Sequence, residues 1–74
     1  MKVIIYSKNN CGFCEEAKTV CNIKNIEFEE KKLGVDFTTE ELLEKFPSAR
    51  TFPQIIVDDN HVGGYKEFKE IVDG

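Results

Sequence analysis

Two cysteines, Cys11 and Cys14, stand three residues apart, separated by Gly12 and Phe13 and preceded by the apolar run Val3-Ile4-Ile5-Tyr6. A thiol pair at this spacing is suited to reversible disulfide formation. Residues three apart on a helix rise only about 4.5 Å, inside the roughly 4.4–6.8 Å Cα separation that a disulfide accepts. A strand running into a helix at the first cysteine presents the pair as a thiol–disulfide exchange site. The two sulfurs differ there. Cys11 falls at the helix N-terminus, where unpaired N–H groups and the macrodipole favour a thiolate, and Lys8 adds positive potential, so Cys11 is the expected nucleophile. Cys14 shares a helical stripe with Ala17 and Cys21, the small apolar side that should face a sheet, and is the expected resolving thiol.

Half of a zinc site and a pair of unconnected core cysteines are the competing readings. Zinc takes about four ligands, and the remaining candidates are Cys21 and His61. Cys21 lies seven residues beyond Cys14, roughly 10.5 Å along a helix, too far to share one ion or a disulfide with it. Cys21 reads as a small buried side chain, with a regulatory thiol as the alternative, and His61 reads as structural.

The elements around the pair follow the order β-α-β-α-β-β-α. Val3 to Tyr6 suits a buried strand. A helix is expected from about Gly12 to Asn22, then a more polar strand over Glu27–Leu33 before a turn at Gly34. Thr38 and Glu41 spell a capping box, with Phe37 and Leu42 at the positions of a hydrophobic staple. That helix should bury Leu42, Leu43 and Phe46 and end at Pro47. Gln54–Val57 and His61-Val62 flank Asp58-Asp59-Asn60 as a hairpin. A last helix begins near Gly63-Gly64 and should bury Tyr65, Phe68, Ile71 and Val72.

With 74 residues, 41% of them hydrophobic, the chain reads as one domain, 1–74, with a modest core. Three cysteines are too few and too unevenly spaced for a secreted disulfide scaffold, and the N-terminus lacks the apolar stretch of a signal peptide. A cytoplasmic, soluble monomer is expected. A net charge of −4 argues against nucleic acid and anionic membrane as partners. The acidic groups Glu27-Glu29-Glu30 and Glu40-Glu41-Glu44 fit solvated outer faces.

Three segments, Lys8-Asn9-Asn10-Cys11-Gly12-Phe13-Cys14, Arg50-Thr51-Phe52-Pro53 and His61-Val62-Gly63-Gly64-Tyr65, occur in the order and spacing of the glutaredoxins. With the element order, the chain resembles a compact dithiol member of that family, within the thioredoxin superfamily, along essentially its whole length. The resemblance implies a four-stranded mixed sheet flanked by helices and a cis peptide before Pro53, where position alone would suggest an ordinary trans proline opening a strand. It also implies that Phe52 offers its N–H and C=O to an extended substrate.

Glutathione is the implied co-substrate. Gly63-Gly64 and the helix N-terminus after them would hold its γ-glutamyl carboxylate, and Lys8 and Arg50 its glycine carboxylate; Phe13, Thr51 and Tyr65 complete the implied binding set. Read without the resemblance, the glycines are a bulge and a cap and the cations are solvated, while Phe13 fits the core as well as it fits the active-site loop. The family pattern implies disulfide clients, with ribonucleotide reductase among them. Direct reduction by thioredoxin reductase and carriage of a 2Fe–2S cluster by Cys11 with glutathione are the alternatives, the latter suggested by Gly12 where dithiol members commonly have proline. The sequence departs from the pattern at Lys66, where many members carry an acid, and at Glu40, where several carry glutamine.

Overall fold

The computed structural model describes all residues from Met1 to Gly74. Its elements run β1 (Val3–Ser7), α1 (Gly12–Ile23), β2 (Phe28–Lys32), α2 (Thr39–Lys45), β3 (Gln54–Val57), β4 (Asn60–Gly63) and α3 (Tyr65–Asp73). The strands form one sheet in the order β2-β1-β3-β4. β1 pairs parallel with β2, whereas β1/β3 and β3/β4 are antiparallel. This is the four-stranded, mixed, helix-flanked sheet that the resemblance implies.

Alternation along the strands sorts the apolar side chains into two cores. Val3 and Ile5 of β1, with Ile55 and Val57 of β3, meet Ala17 and Cys21 of α1 and Phe68 of α3 on one face. Tyr6 and Ile56 turn to the other face, against Phe37, Leu42 and Phe46 of the α2 segment. Tyr6 is gripped there by edge-on contacts with Phe37 and Phe46, at ring separations of 5.1 and 5.3 Å. Full burial of a residue such as Phe68 contributes about 1.5–3 kcal/mol, so these few residues carry much of a small domain's stability.

The α2 start forms as its sequence dictates. The Thr38 hydroxyl accepts from the Glu41 N–H at 3.2 Å, and the Glu41 carboxylate accepts from the Thr38 N–H at 2.9 Å. Phe37 and Leu42 are both buried in the same cluster, completing the staple. α2 stops at Lys45, with Phe46 as its C-cap, because the residue before Pro47 is disfavoured in the helical region.

Four expectations need correction. Leu43 and Ile71 are each 43% exposed, since a short helix lying on a sheet can bury only one narrow stripe. For the same reason Tyr65 and Val72 are only half-buried, and Phe68 alone of α3 enters the core fully. The hairpin turn is Asp58-Asp59, both at positive φ (50° and 69°), and Asn60 already belongs to β4; a tight hairpin requires that left-handed pair. Glu30 does not face outward from β2. It turns towards α1, where it receives Lys18 at 3.0 Å and the Ser7 hydroxyl at 2.6 Å.

Candidate active site

The β1 strand ends at Ser7, and the segment Lys8–Asn10 turns the chain into α1, with Asn10 at φ 56°. Asparagine is among the few side chains that tolerate this left-handed conformation. Cys11 follows as the N-cap of α1, in extended backbone. Its Sγ accepts from the Cys14 N–H at 3.2 Å, so sulfur stands where a serine or aspartate oxygen caps most helices. The two cysteines are joined as a disulfide with Cα atoms 5.3 Å apart, well inside the range for an undistorted backbone. Cys14 is 1% exposed whereas Cys11 is partly open to solvent. The unequal accessibility expected from the helical stripe is therefore present.

Phe13 is not a core residue. It is 60% exposed and lies over Tyr65, with centroids 5.7 Å apart and planes inclined by 23°. The pair joins the cysteine turn to the start of α3. Opposite, the Phe52–Pro53 peptide is cis, and Pro53 is buried at the head of β3. None of the backbone hydrogen bonds of the fold uses the Phe52 N–H or C=O. Lys8 Nζ stands 5.5 Å from the centroid of the Phe52 ring, within cation–π range. Arg50 and Thr51 lie exposed beside this edge.

The glycine pair abuts the same edge. Gly63 has φ 116°, which a side chain rarely adopts, and a Cβ on Gly64 would sit 3.5 Å from the Pro53 carbonyl. The Gly64 N–H, however, is already taken: it donates to the Glu67 carboxylate at 2.8 Å. Of the α3 amides expected to hold a ligand carboxylate, those of Tyr65 and Lys66 remain without an intrahelical partner. The structure thus links Cys11 to Cys14, Phe13 to Tyr65, Lys8 to Phe52 and Pro53 to Gly64.

Behind Cys11 lies a polar cavity of about 460 Å³, lined by Lys8, Glu15, Lys18, Glu30 and Lys32 among others. The Ser7 hydroxyl and Lys18 hold the Glu30 carboxyl below its ordinary range, against a desolvation that opposes them. A hydrogen bond donated to the Glu15 carboxylate, with further support from Glu30, raises Lys18. Sequence reading missed this group; its one trace is that Lys18 lies seven residues after Cys11, on the same side of α1. Gln54 was missed too, although a lone amide opening the run Ile55-Ile56-Val57 is itself a signal. Its Nε2 donates to the Thr51 carbonyl at 2.7 Å, and its Oε1 lies 2.7 Å from His61 Nε2.

Cys21 is the one free cysteine; it is fully buried, and desolvation pushes its thiol up. His61 is bound to Gln54 and stacked on Phe46 at 4.1 Å. No three His, Cys, Asp or Glu side chains converge as metal ligands, and no helix is long and apolar enough to cross a membrane.

Comparison with known proteins places these features in a family. The glutaredoxin family model matches residues 3–62. Glutaredoxin 1 of Rickettsia conorii is 37% identical over 65 residues, an alignment covering 84% of this chain and 63% of that protein. The chain thus spans somewhat under two thirds of the length of that relative. Glutaredoxin 3 of Escherichia coli K12 is 34% identical over 62 residues, covering 84% of this chain and 75% of the relative. The crystal structure of glutaredoxin 1 from Francisella tularensis complexed with cacodylate superposes with a TM-score of 0.83 at 32% identity, covering 97% of this chain and 92% of that one. On matched length, fold and the placement of the Cys11–Cys14 pair, the chain belongs to the glutaredoxin family.

Proposed function

We propose that this chain is a cytoplasmic, monomeric thiol–disulfide oxidoreductase that takes its electrons from glutathione. The observation carrying this reading is the asymmetry of the cysteine pair: one sulfur at an accessible helix N-terminus, the other 1% exposed and within disulfide reach. In the reduced protein the Cys11 thiolate attacks a disulfide or a glutathionylated thiol. One S–S bond breaks as a mixed disulfide with Cys11 forms, and the leaving thiolate takes up a proton. From a mixed disulfide with a client, Cys14 attacks the Cys11 sulfur, releasing the client thiol and closing the internal disulfide; from one with glutathione, a second glutathione attacks the bound glutathione sulfur and leaves as glutathione disulfide, freeing Cys11. Two further glutathiones reopen the internal disulfide.

The surroundings suit a small peptide thiol. The free N–H and C=O of Phe52 can pair with an extended chain as an added strand. Lys8 and Arg50 offer cations for one carboxylate of glutathione, and the first-turn amides of α3 offer donors for the other. Phe13 and Tyr65 form an aromatic pair joining the cysteine turn to the start of α3. Client disulfide proteins, ribonucleotide reductase among them, belong to the same proposal.

Reduction of a glutathionylated peptide by glutathione, with glutathione disulfide formation coupled to NADPH oxidation, tests the reading directly. Turnover that needs Cys11 and saturates with glutathione supports it. Reduction by thioredoxin reductase with none by glutathione would replace it with the directly reduced alternative. Cluster carriage would draw on Cys11 and glutathione, since Cys21 is sealed in the core and His61 is engaged, and no observation favours it over thiol–disulfide exchange.

A further inference from the structure

Gln54 is a strongly buried amide, 5% exposed, with no part in the exchange steps above. A position needing only packing would take leucine or methionine, since an amide in the core costs free energy unless every polar atom is bonded. Both ends of Gln54 are bonded. Nε2 donates to the Thr51 carbonyl at 2.7 Å, and Oε1 faces His61 Nε2 at 2.7 Å. An amide oxygen only accepts, so His61 Nε2 carries a hydrogen and donates it. The imidazole is held in turn by the Phe46 ring, at a centroid distance of 4.1 Å. A chain of contacts therefore runs from Phe46, by stacking, to His61, and from there by hydrogen bonds through Gln54 to one carbonyl in the Arg50–Pro53 loop.

That carbonyl has a partner in its own peptide unit. The Thr51 C=O and the Phe52 N–H belong to one planar trans peptide, in which the two groups point in opposite directions. Drawing the Thr51 oxygen inwards to Gln54 turns the Phe52 N–H outwards, and that N–H is bonded to nothing in the fold. We propose that Gln54, braced by His61, is a positioning residue that aims the Phe52 N–H at the backbone carbonyl of an extended peptidic thiol. The inference rests on the proposed function, because it takes the Phe52 edge as the place where glutathione or a client strand lies.

Two readouts test it in the Cys14→Ser background, where a mixed disulfide with glutathione can be trapped on Cys11. The first is the Phe52 amide resonance before and after glutathionylation. The second sets KM for a glutathionylated peptide against the rate at which iodoacetamide alkylates Cys11, a reaction that does not use the edge. Gln54→Met removes both bonds at similar volume, and Gln54→Glu keeps an acceptor for His61 but cannot donate to Thr51. Both should shrink the Phe52 shift and raise KM about 3- to 10-fold, the loss of one oriented hydrogen bond, while alkylation stays unchanged. Should Gln54→Met fail to fold, Gln54→Glu and His61→Phe, which keeps a ring against Phe46, carry the same comparison.

An unchanged KM and Phe52 shift in the Gln54 variants would overturn the positioning role and leave the proposed function standing. Alkylation slowing as KM rises would reduce Gln54 to a structural residue. A Phe52 amide that does not respond in the parent protein would remove the substrate edge itself, and the proposed binding mode with it.

Discussion

The Cys14 N–H donates to the sulfur of Cys11 at 3.2 Å, so the second cysteine serves the first through its backbone as well as its thiol. Replacing the Cys14 side chain with serine leaves that amide in place. Cys14→Ser should therefore keep its activity on glutathionylated peptides, where a second glutathione resolves the mixed disulfide. Reduction of an intramolecular protein disulfide should fall on the order of tenfold or more, because the client must be expelled by Cys14. Cys11→Ser should abolish both. Parallel assays with the two substrates check this; equal losses in Cys14→Ser would mean that its thiol supports the Cys11 sulfur directly.

Lys8 lies over the Phe52 ring at 5.5 Å, on the edge proposed for the ligand, whereas Arg50 is solvated beside it. Lys8→Ala and Arg50→Ala should each weaken glutathione binding a few-fold at low ionic strength, as expected for exposed ion pairs worth about 0.2–1 kcal/mol. The Lys8 variant should retain part of its deficit in high salt, since the cation–π contact also shapes the edge and is less screened. Calorimetric titrations at two salt concentrations separate the two. No change in either variant at low salt would move the glycine carboxylate elsewhere.

Cys21 is fully buried and its thiol is pushed up by desolvation. In the reduced, folded protein iodoacetamide should modify Cys11 first and leave Cys21 untouched until the chain unfolds. Mass spectrometry of alkylated peptides, with and without urea, reads this. Modification of Cys21 under native conditions would show that the α1–sheet interface opens.

Glu30 gives the fold a predictable response to acid. The Ser7 hydroxyl and Lys18 hold its carboxyl below the ordinary range, and its side chain is only 27% exposed. A group depressed in the folded state stabilises the fold above its unfolded value and loses that contribution as pH falls through the folded one. Glu30→Gln should thus cost about 1 kcal/mol at neutral pH. The gap to the parent should close as pH drops from about 4.3, the unfolded glutamate value, towards the lower folded value. Urea melts along a pH series test it, and a gap that persists in strong acid would assign the cost to packing.

Much of this molecule is written locally. The Cys11–Cys14 spacing, the Thr38–Glu41 box with its Phe37–Leu42 staple, the stop at Pro47 and the alternation in β1 and β3 depend on neighbours within a few residues. Short-range sterics and hydrogen bonding decide them before any distant segment arrives. The resemblance of three separated segments extended this reading to the Phe52–Pro53 edge and the Gly63-Gly64 turn.

Tertiary structure decided what depends on groups brought together from far along the chain. Which apolar residues of a short helix are sealed is set by how that helix lies on the sheet, which leaves Leu43 and Ile71 43% exposed while Phe68 is fully buried. Glu30 turned from an expected outer face to an inner partner because Lys18 and Ser7 are delivered to it by other elements. Phe13 found Tyr65, Glu67 occupied the Gly64 amide, and Gln54 joined His61 to Thr51 for the same reason. A side chain's type states what it can bond with, but only the packed chain places the partner within the roughly 3 Å that a hydrogen bond requires.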